Sequence, residues 1–212
     1  MDKDRKIFHE TFYQEAQKKF TDAYNDAEWK LKQGVYDKAV IQQDLDKTEK
    51  EIRDMFSTGF HEFAERTKAK MNNTIKNYVD QIEQNQQNNG TSELIRRQNL
   101  ESKLGNFDID ELHQFITKQL DQEFVPDFDM SVIKKASEGF DNPELKTDLS
   151  LLRHKLPREA AKNSKEYQSL EHDLHQASFT SQDSIFLKDN KGEYESASVA
   201  GTFHDLMKSQ ND

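Results

Sequence analysis

Apolar side chains recur early in the chain at Phe8, Phe12, Ala16, Phe20, Ala23, Ala27, Leu31 and Val35. The steps are three or four residues, which draws one stripe along a helix and leaves Lys, Asp, Glu and Gln on the other faces. A second stripe follows at Leu45, Ile52, Met55, Phe56, Phe60, Phe63, Met71, Ile75, Val79 and Ile82. Between them, residues 42–51 are very polar. Residues 1–83 therefore read as a long helical stalk or hairpin. Gly34 interrupts the pattern at a cost of only about 1 kcal/mol if it stays helical. Two arrangements fit. One is an antiparallel hairpin turning near Gly34, in which the stripes hide each other. The other is a single bent helix that buries its stripe on a partner chain. The hairpin is favoured because it needs no second molecule. The first stripe averages about 3.9 residues per step, so the region is coiled-coil-like without the 3.5-residue seam of a regular two-stranded coil. Phe8, Phe12, Phe20, Leu31, Phe56, Phe60 and Phe63 form the candidate association stripe.

The run Gln84–Gly90 contains no apolar group, and its Asn and Gly residues favour a turn, so a polar linker is expected over 84–90. Residues 91–212 then read as a multi-helix region with legible punctuation. Thr91 or Ser92 can cap a helix that Gly105 stops. Asp108 with Glu111 makes a variant capping box, and Phe107 and Leu112 stand where a hydrophobic staple would. Pro126 marks a break, after which Asp129 can cap a short helix over Val132 and Ile133. Asn142-Pro143 supplies a cap and a first-turn proline for the next helix. Leu156-Pro157 separates that helix from one through Tyr167, Leu170 and Leu174. A β-hairpin is expected over about 184–195, from an apolar run, an Asp/Asn/Gly turn and a second short run. Two strands alone are marginal in water, so it must lean on the helices or on a partner. Thr202 can cap a last helix. The fold class is thus mainly α: a long N-terminal helical hairpin or stalk, then a bundle of short helices with one small β-hairpin near the C-terminus.

Composition narrows the chemistry. There is no Cys, which excludes disulfide scaffolds, thiolate zinc sites and thiol nucleophiles. Three Pro and seven Gly are few for the turns of an all-β sandwich. No apolar run approaches a bilayer span, and residues 1–10 lack the apolar core of a signal peptide. The expected location is the cytoplasm of a bacterial host or a virion, with no membrane partner. Residues 1–90 carry 15 basic and 17 acidic side chains, and residues 91–212 carry 15 and 23. The acidity of this acidic chain therefore lies in its second half.

Candidate sites are sparse. His172 and His175 share a helix face, yet a third ligand is missing and they read as surface histidines. Asp121, Glu123, Asp127 and Asp129 form the candidate acidic patch. Asp127-Phe128-Asp129 suggests a hard-cation site but lacks calcium-loop spacing and its glycine. No phosphate loop, nucleophile elbow or dinucleotide fingerprint occurs. The expectation is no enzyme, no cofactor and no metal. Basic pairs such as Arg96-Arg97 and Lys134-Lys135 are too few for a strong nucleic-acid signal at net charge −10.

These features favour protein partners, with a homo-oligomer through the Phe stripe as one form. In layout and composition the chain is similar to small assembly proteins of tailed-phage heads from low-GC Gram-positive hosts, which join a Lys/Glu/Gln-rich helical region to a small acidic end. The resemblance implies a structural, head-assembly or virion-associated protein. The alternative is an acidic inhibitor whose carboxylates imitate a phosphate backbone and block a host or defence nucleic-acid enzyme.

Overall fold

A computed structural model describes residues 5–178, 180, 183–188 and 194–209. The chain is mainly helical and forms two compact units. Unit 1 is Met1–Lys68 with Glu171–Asp212, and unit 2 is Ala69–Leu170.

Unit 1 begins with a single 3-10 turn, Lys6–His9, followed by α1 (Thr11–Gln33). Helix α2 (Lys38–Asn88) starts in this unit and runs on into unit 2. Gly34 ends α1 in the left-handed conformation, at φ 66°, which a side chain would oppose. The chain then reverses. Phe12 meets Phe60, Tyr13 stacks on Phe56, and Lys30 reaches Asp44. One number rises as the other falls, so α1 and the first part of α2 are antiparallel. The single bent helix of the sequence reading is ruled out. Gly59 permits the close approach, because a Cβ there would stand 2.2 Å from the Phe12 ring.

The stripe is the core of this unit. Phe8, Phe20, Leu31, Phe56 and Phe63 are buried, and Phe12 and Phe60 are half-buried against them. What covers the hairpin is the other end of the chain. Helix α8 (Lys165–Ser178) leads to strands β1 (Ser184–Lys188) and β2 (Tyr194–Ser198), paired antiparallel, and then to α9 (Val199–Lys208). Phe203 of α9 stacks on Phe20 at 5.1 Å. The Phe186 amide donates to the Tyr13 hydroxyl at 3.0 Å, and Gln17 Nε2 donates to the Phe186 carbonyl. Side chains of α1 thus occupy both backbone groups at the middle of β1. The expected hairpin turn, 189–193, lies outside the described residues. Helix α9 is capped by Ser198, whose hydroxyl accepts from Gly201 N; the expected cap, Thr202, lies inside the helix.

Unit 2 is assembled from short helices with an aliphatic core of Leu104, Leu112, Ile116, Val125, Ile133, Leu145 and Leu152. Besides the second part of α2 and the start of α8, its helices are α3 (Gly90–Leu104), α4 (Ile109–Leu120), α5 (Asp127–Ser137), α6 (Pro143–Arg153) and α7 (Pro157–Ala161). The capping box of α4 forms as expected: Glu111 N donates to Asp108 Oδ1 at 2.9 Å, and Asp108 N to Glu111 Oε2 at 3.1 Å. Asn142 Oδ1 caps α6 through the amides of Glu144 and Leu145.

Two expectations are corrected. Gln84–Asn88 continue α2, and only Asn89 separates it from α3. A run without apolar groups gives a helix no buried face, but Gln is a good helix former and the backbone continues. The compact units accordingly divide within α2 and within α8, rather than at 84–90. Asp129 does not cap α5, which begins after Pro126. It lies in the first turn, buried, and paired with Arg96.

The folded units also redistribute the charge. Unit 1 holds 16 basic and 23 acidic residues, and unit 2 holds 14 and 17. Much of the excess sits in residues 171–212, with three basic and eight acidic side chains, and this segment belongs to the unit formed by the N-terminal hairpin.

Candidate functional site

The association stripe is not a free surface, because unit 1 buries it internally. Val35, the last position of the helical pattern, is the exception. Gly34 turns the chain before it, and Val35 is left 81% exposed. It has company. Trp29 is 51% exposed, Tyr36 43% and Val40 54%. Trp29 lies in the last turns of α1, Val35 and Tyr36 in the turn, and Val40 in the first turn of α2. The Trp29 and Tyr36 rings lie 5.7 Å apart, inclined at 54°. Four of the chain's exposed large apolar side chains therefore gather at one end of the hairpin.

The charges around this tip are bound to one another. Lys30 Nζ reaches Asp26 at 2.8 Å and Asp44 at 3.4 Å, tying α1 to α2. The Asp26 carboxylate, assisted by Asp44, holds the Lys30 ammonium above its usual range. Lys32 pairs with Glu28 at 2.9 Å. Asp37 Oδ1 accepts from Ala39 N and so fixes the start of α2. Trp29 and Tyr36 are thus presented on a turn that Gly34 and Asp37 hold, with the neighbouring carboxylates already engaged.

The acidic patch is not a single exposed array. Asp121, Glu123 and Asp127 are exposed, but Asp129 is 5% exposed. Arg96 grips it with two bonds, Nη1 to Oδ2 at 2.8 Å and Nη2 to Oδ1 at 2.7 Å. Glu93 accepts from both Arg96 and Arg97, and Arg97 lies over the Phe128 ring at 4.7 Å. The guanidinium of Arg96, followed by that of Arg97, brings the Glu93 carboxyl down to about 2. This cluster fastens α3 to α5. Glu123 accepts from the Tyr78 hydroxyl at 3.0 Å. His172 and His175 lie exposed on α8, and no group of three His, Asp or Glu able to hold a metal occurs among the described residues. No described helix is long and apolar enough to cross a membrane.

Sequence reading missed the tip because it treated Val35 as one more step of the stripe and gave Trp29 no role. The available signal was off-stripe placement. Trp29 stands two residues before Leu31, on the polar side of α1, where a large aromatic has no place in the core. No family model, curated protein or solved structure matches the chain.

Proposed function

We propose that the protein is a non-enzymatic adaptor or assembly protein that docks by inserting the Trp29–Tyr36 tip of its helical hairpin into an apolar pocket of a protein partner. The observation that carries this reading is the exposure of Trp29, Val35, Tyr36 and Val40 on and beside a turn held by Gly34. Trp and Tyr are the residues most enriched among interface hot spots. The four side chains expose on the order of 400 Å², the size of the largest apolar patch on an ordinary monomer, which is often functional. A stable flat interface needs about 800 Å² from each partner. A projecting tip of this size therefore suits a concave pocket better than a symmetric pairing of two tips. Because Lys30 and Lys32 are already paired with Asp26, Asp44 and Glu28, the contact is expected to be apolar and little affected by salt. The compositional likeness to phage-head assembly proteins supplies one setting for such docking.

The test is site-specific photocross-linking in cells that express the protein. A photoreactive phenylalanine analogue replaces Tyr36 in one variant and the exposed Lys50 in a control. The expected result is a discrete adduct with another protein from position 36 alone, retained in high salt and lost with Trp29→Ala. Equal labelling from both positions, or an adduct of two copies of this chain, would contradict the proposal.

A further inference from the structure

A second surface, in unit 2, carries a separate inference. A groove of about 400 Å³ opens between α5 and α6. Its floor is apolar: Met130 from α5, Phe140 from the connecting segment, and Leu145 and Leu149 from α6. Lys134 stands one turn beyond Met130, and Arg153 one turn beyond Leu149. The groove lining holds three cations, Lys134, Lys146 and Arg153, against two carboxylates, Glu138 and Asp141. Lys146 is bound to Asp141 at 2.6 Å. Lys134 and Arg153 form no ion pair among the described residues. Glu138 likewise forms no ion pair among the described residues, so two unpaired cations stand against one unpaired carboxylate beside the apolar floor, a net positive lining in a chain of net charge −10.

The placement of those cations selects the ligand. The short segment Glu138–Asn142 joins the end of α5 to the start of α6. Lys134 lies within one turn of the end of α5. Arg153 is the last residue of α6, about 15 Å along that helix from Pro143 at a rise of 1.5 Å per residue. The two positive groups therefore stand towards different ends of the floor. A single-headed amphiphile satisfies one of them. A peptide with carboxylates on both sides of a short apolar run satisfies both.

We infer that this groove binds an acidic peptide segment of a partner protein, with apolar side chains on Met130, Phe140 and Leu149 and carboxylates on Lys134 and Arg153. Charge-assisted contacts at the ends set the register, and apolar burial between them supplies affinity. The site is separate from the tip and stands or falls independently of it.

Fluorescence anisotropy of the full chain tests it, with a fluorescein-labelled peptide Gly-Gly-Glu-Glu-Leu-Phe-Leu-Glu-Glu as probe. The expected result is saturable binding that Lys134→Glu with Arg153→Glu weakens by about tenfold or more. Lys118→Glu with Lys135→Glu, a double charge reversal outside the groove lining, leaves binding within about twofold as a control for the loss of net charge. Circular dichroism confirms that both variants keep their helices. Absence of saturable binding would overturn the inference, as would equal losses in the groove and control variants. Displacement of the peptide by decanoate would overturn it in favour of a small amphiphile. Self-association abolished by Lys134→Glu would overturn it in favour of a second copy.

Discussion

The two units bury their apolar side chains in different ways. The core of unit 1 is aromatic: Phe8, Tyr13, Phe20, Phe56, Phe63, Phe186 and Phe203 are all buried in it. It is closed by residues of α8, the two strands and α9, and the Tyr13–Phe186 hydrogen bond spans 173 positions. The core of unit 2 is aliphatic, and its helices follow one another along a continuous stretch, with side-chain caps at the starts of α4 and α6. A charged joint, the Arg96–Asp129–Glu93 cluster, ties α3 to α5. The contrast separates two ways to specify a fold. Rings that meet edge-on or stacked contribute area and preferred geometry with few local signals. Short helices depend on caps, prolines and a few charged fasteners, which are written locally.

The largest effect should come from breaking the aromatic core. Phe56 is fully buried and touches Tyr13 and Phe60. Phe56→Ala should cost about 3–5 kcal/mol, read as loss of hydrogen-exchange protection across 8–31, 184–188 and 194–206 by mass spectrometry. In unit 2, Arg96→Ala leaves the buried Asp129 carboxylate without its cation. A loss of about 3 kcal/mol is expected, as for breaking a buried pair from one side. The protection lost should then lie in α3 and α5. Asp129→Asn in the same background should restore part of it, because the uncompensated charge is gone.

Tyr13→Phe sharpens the comparison by removing only the hydroxyl that accepts from the Phe186 amide. An unsatisfied buried amide costs about 1–3 kcal/mol, and exchange at 184–188 should accelerate more than elsewhere. Burial pushes the Tyr13 phenol up to about 12. Its contribution is therefore intact below the ordinary tyrosine value and is lost as pH rises towards about 12. The Asn142 cap should matter least among the substitutions. Asn142→Ala should cost about 1 kcal/mol, seen as a small drop in the melting temperature.

Acid should act on unit 2 through Glu93. Its carboxyl is held down to about 2 by Arg96 and then Arg97. The stabilisation is present above the ordinary glutamate value and is lost as pH falls from there towards about 2. Glu93→Gln should flatten that part of the pH–stability curve, measured by urea denaturation at successive pH values.

Much of the local architecture was legible in the sequence. The Asp108/Glu111 box, the Asn142-Pro143 start, the turn at Gly34 and the two strands were written in cap and turn residues. The joint at Asn89 was misplaced because polarity was equated with a linker, whereas Gln sustains a solvated helix. The closure of unit 1 was invisible, because no local pattern states that β1 and α9 will cover a hairpin more than a hundred residues earlier. For the same reason the stripe could not be assigned to self-burial or to a partner. The tip was partly legible, in that Trp29 stands off the stripe. Asp129 resembled a cap by spacing, and its pairing with Arg96 across 33 positions could not be read locally.

The central claim is that the Phe stripe is an internal core of unit 1. Hydrogen exchange of the stripe peptides, 8–31 and 52–63, at two widely separated protein concentrations tests it most directly. The account predicts equal, strong protection at both concentrations in a chain of 24.8 kDa. Protection that appears only at the higher concentration, together with an oligomer, would contradict it and return the stripe to the role of an interface.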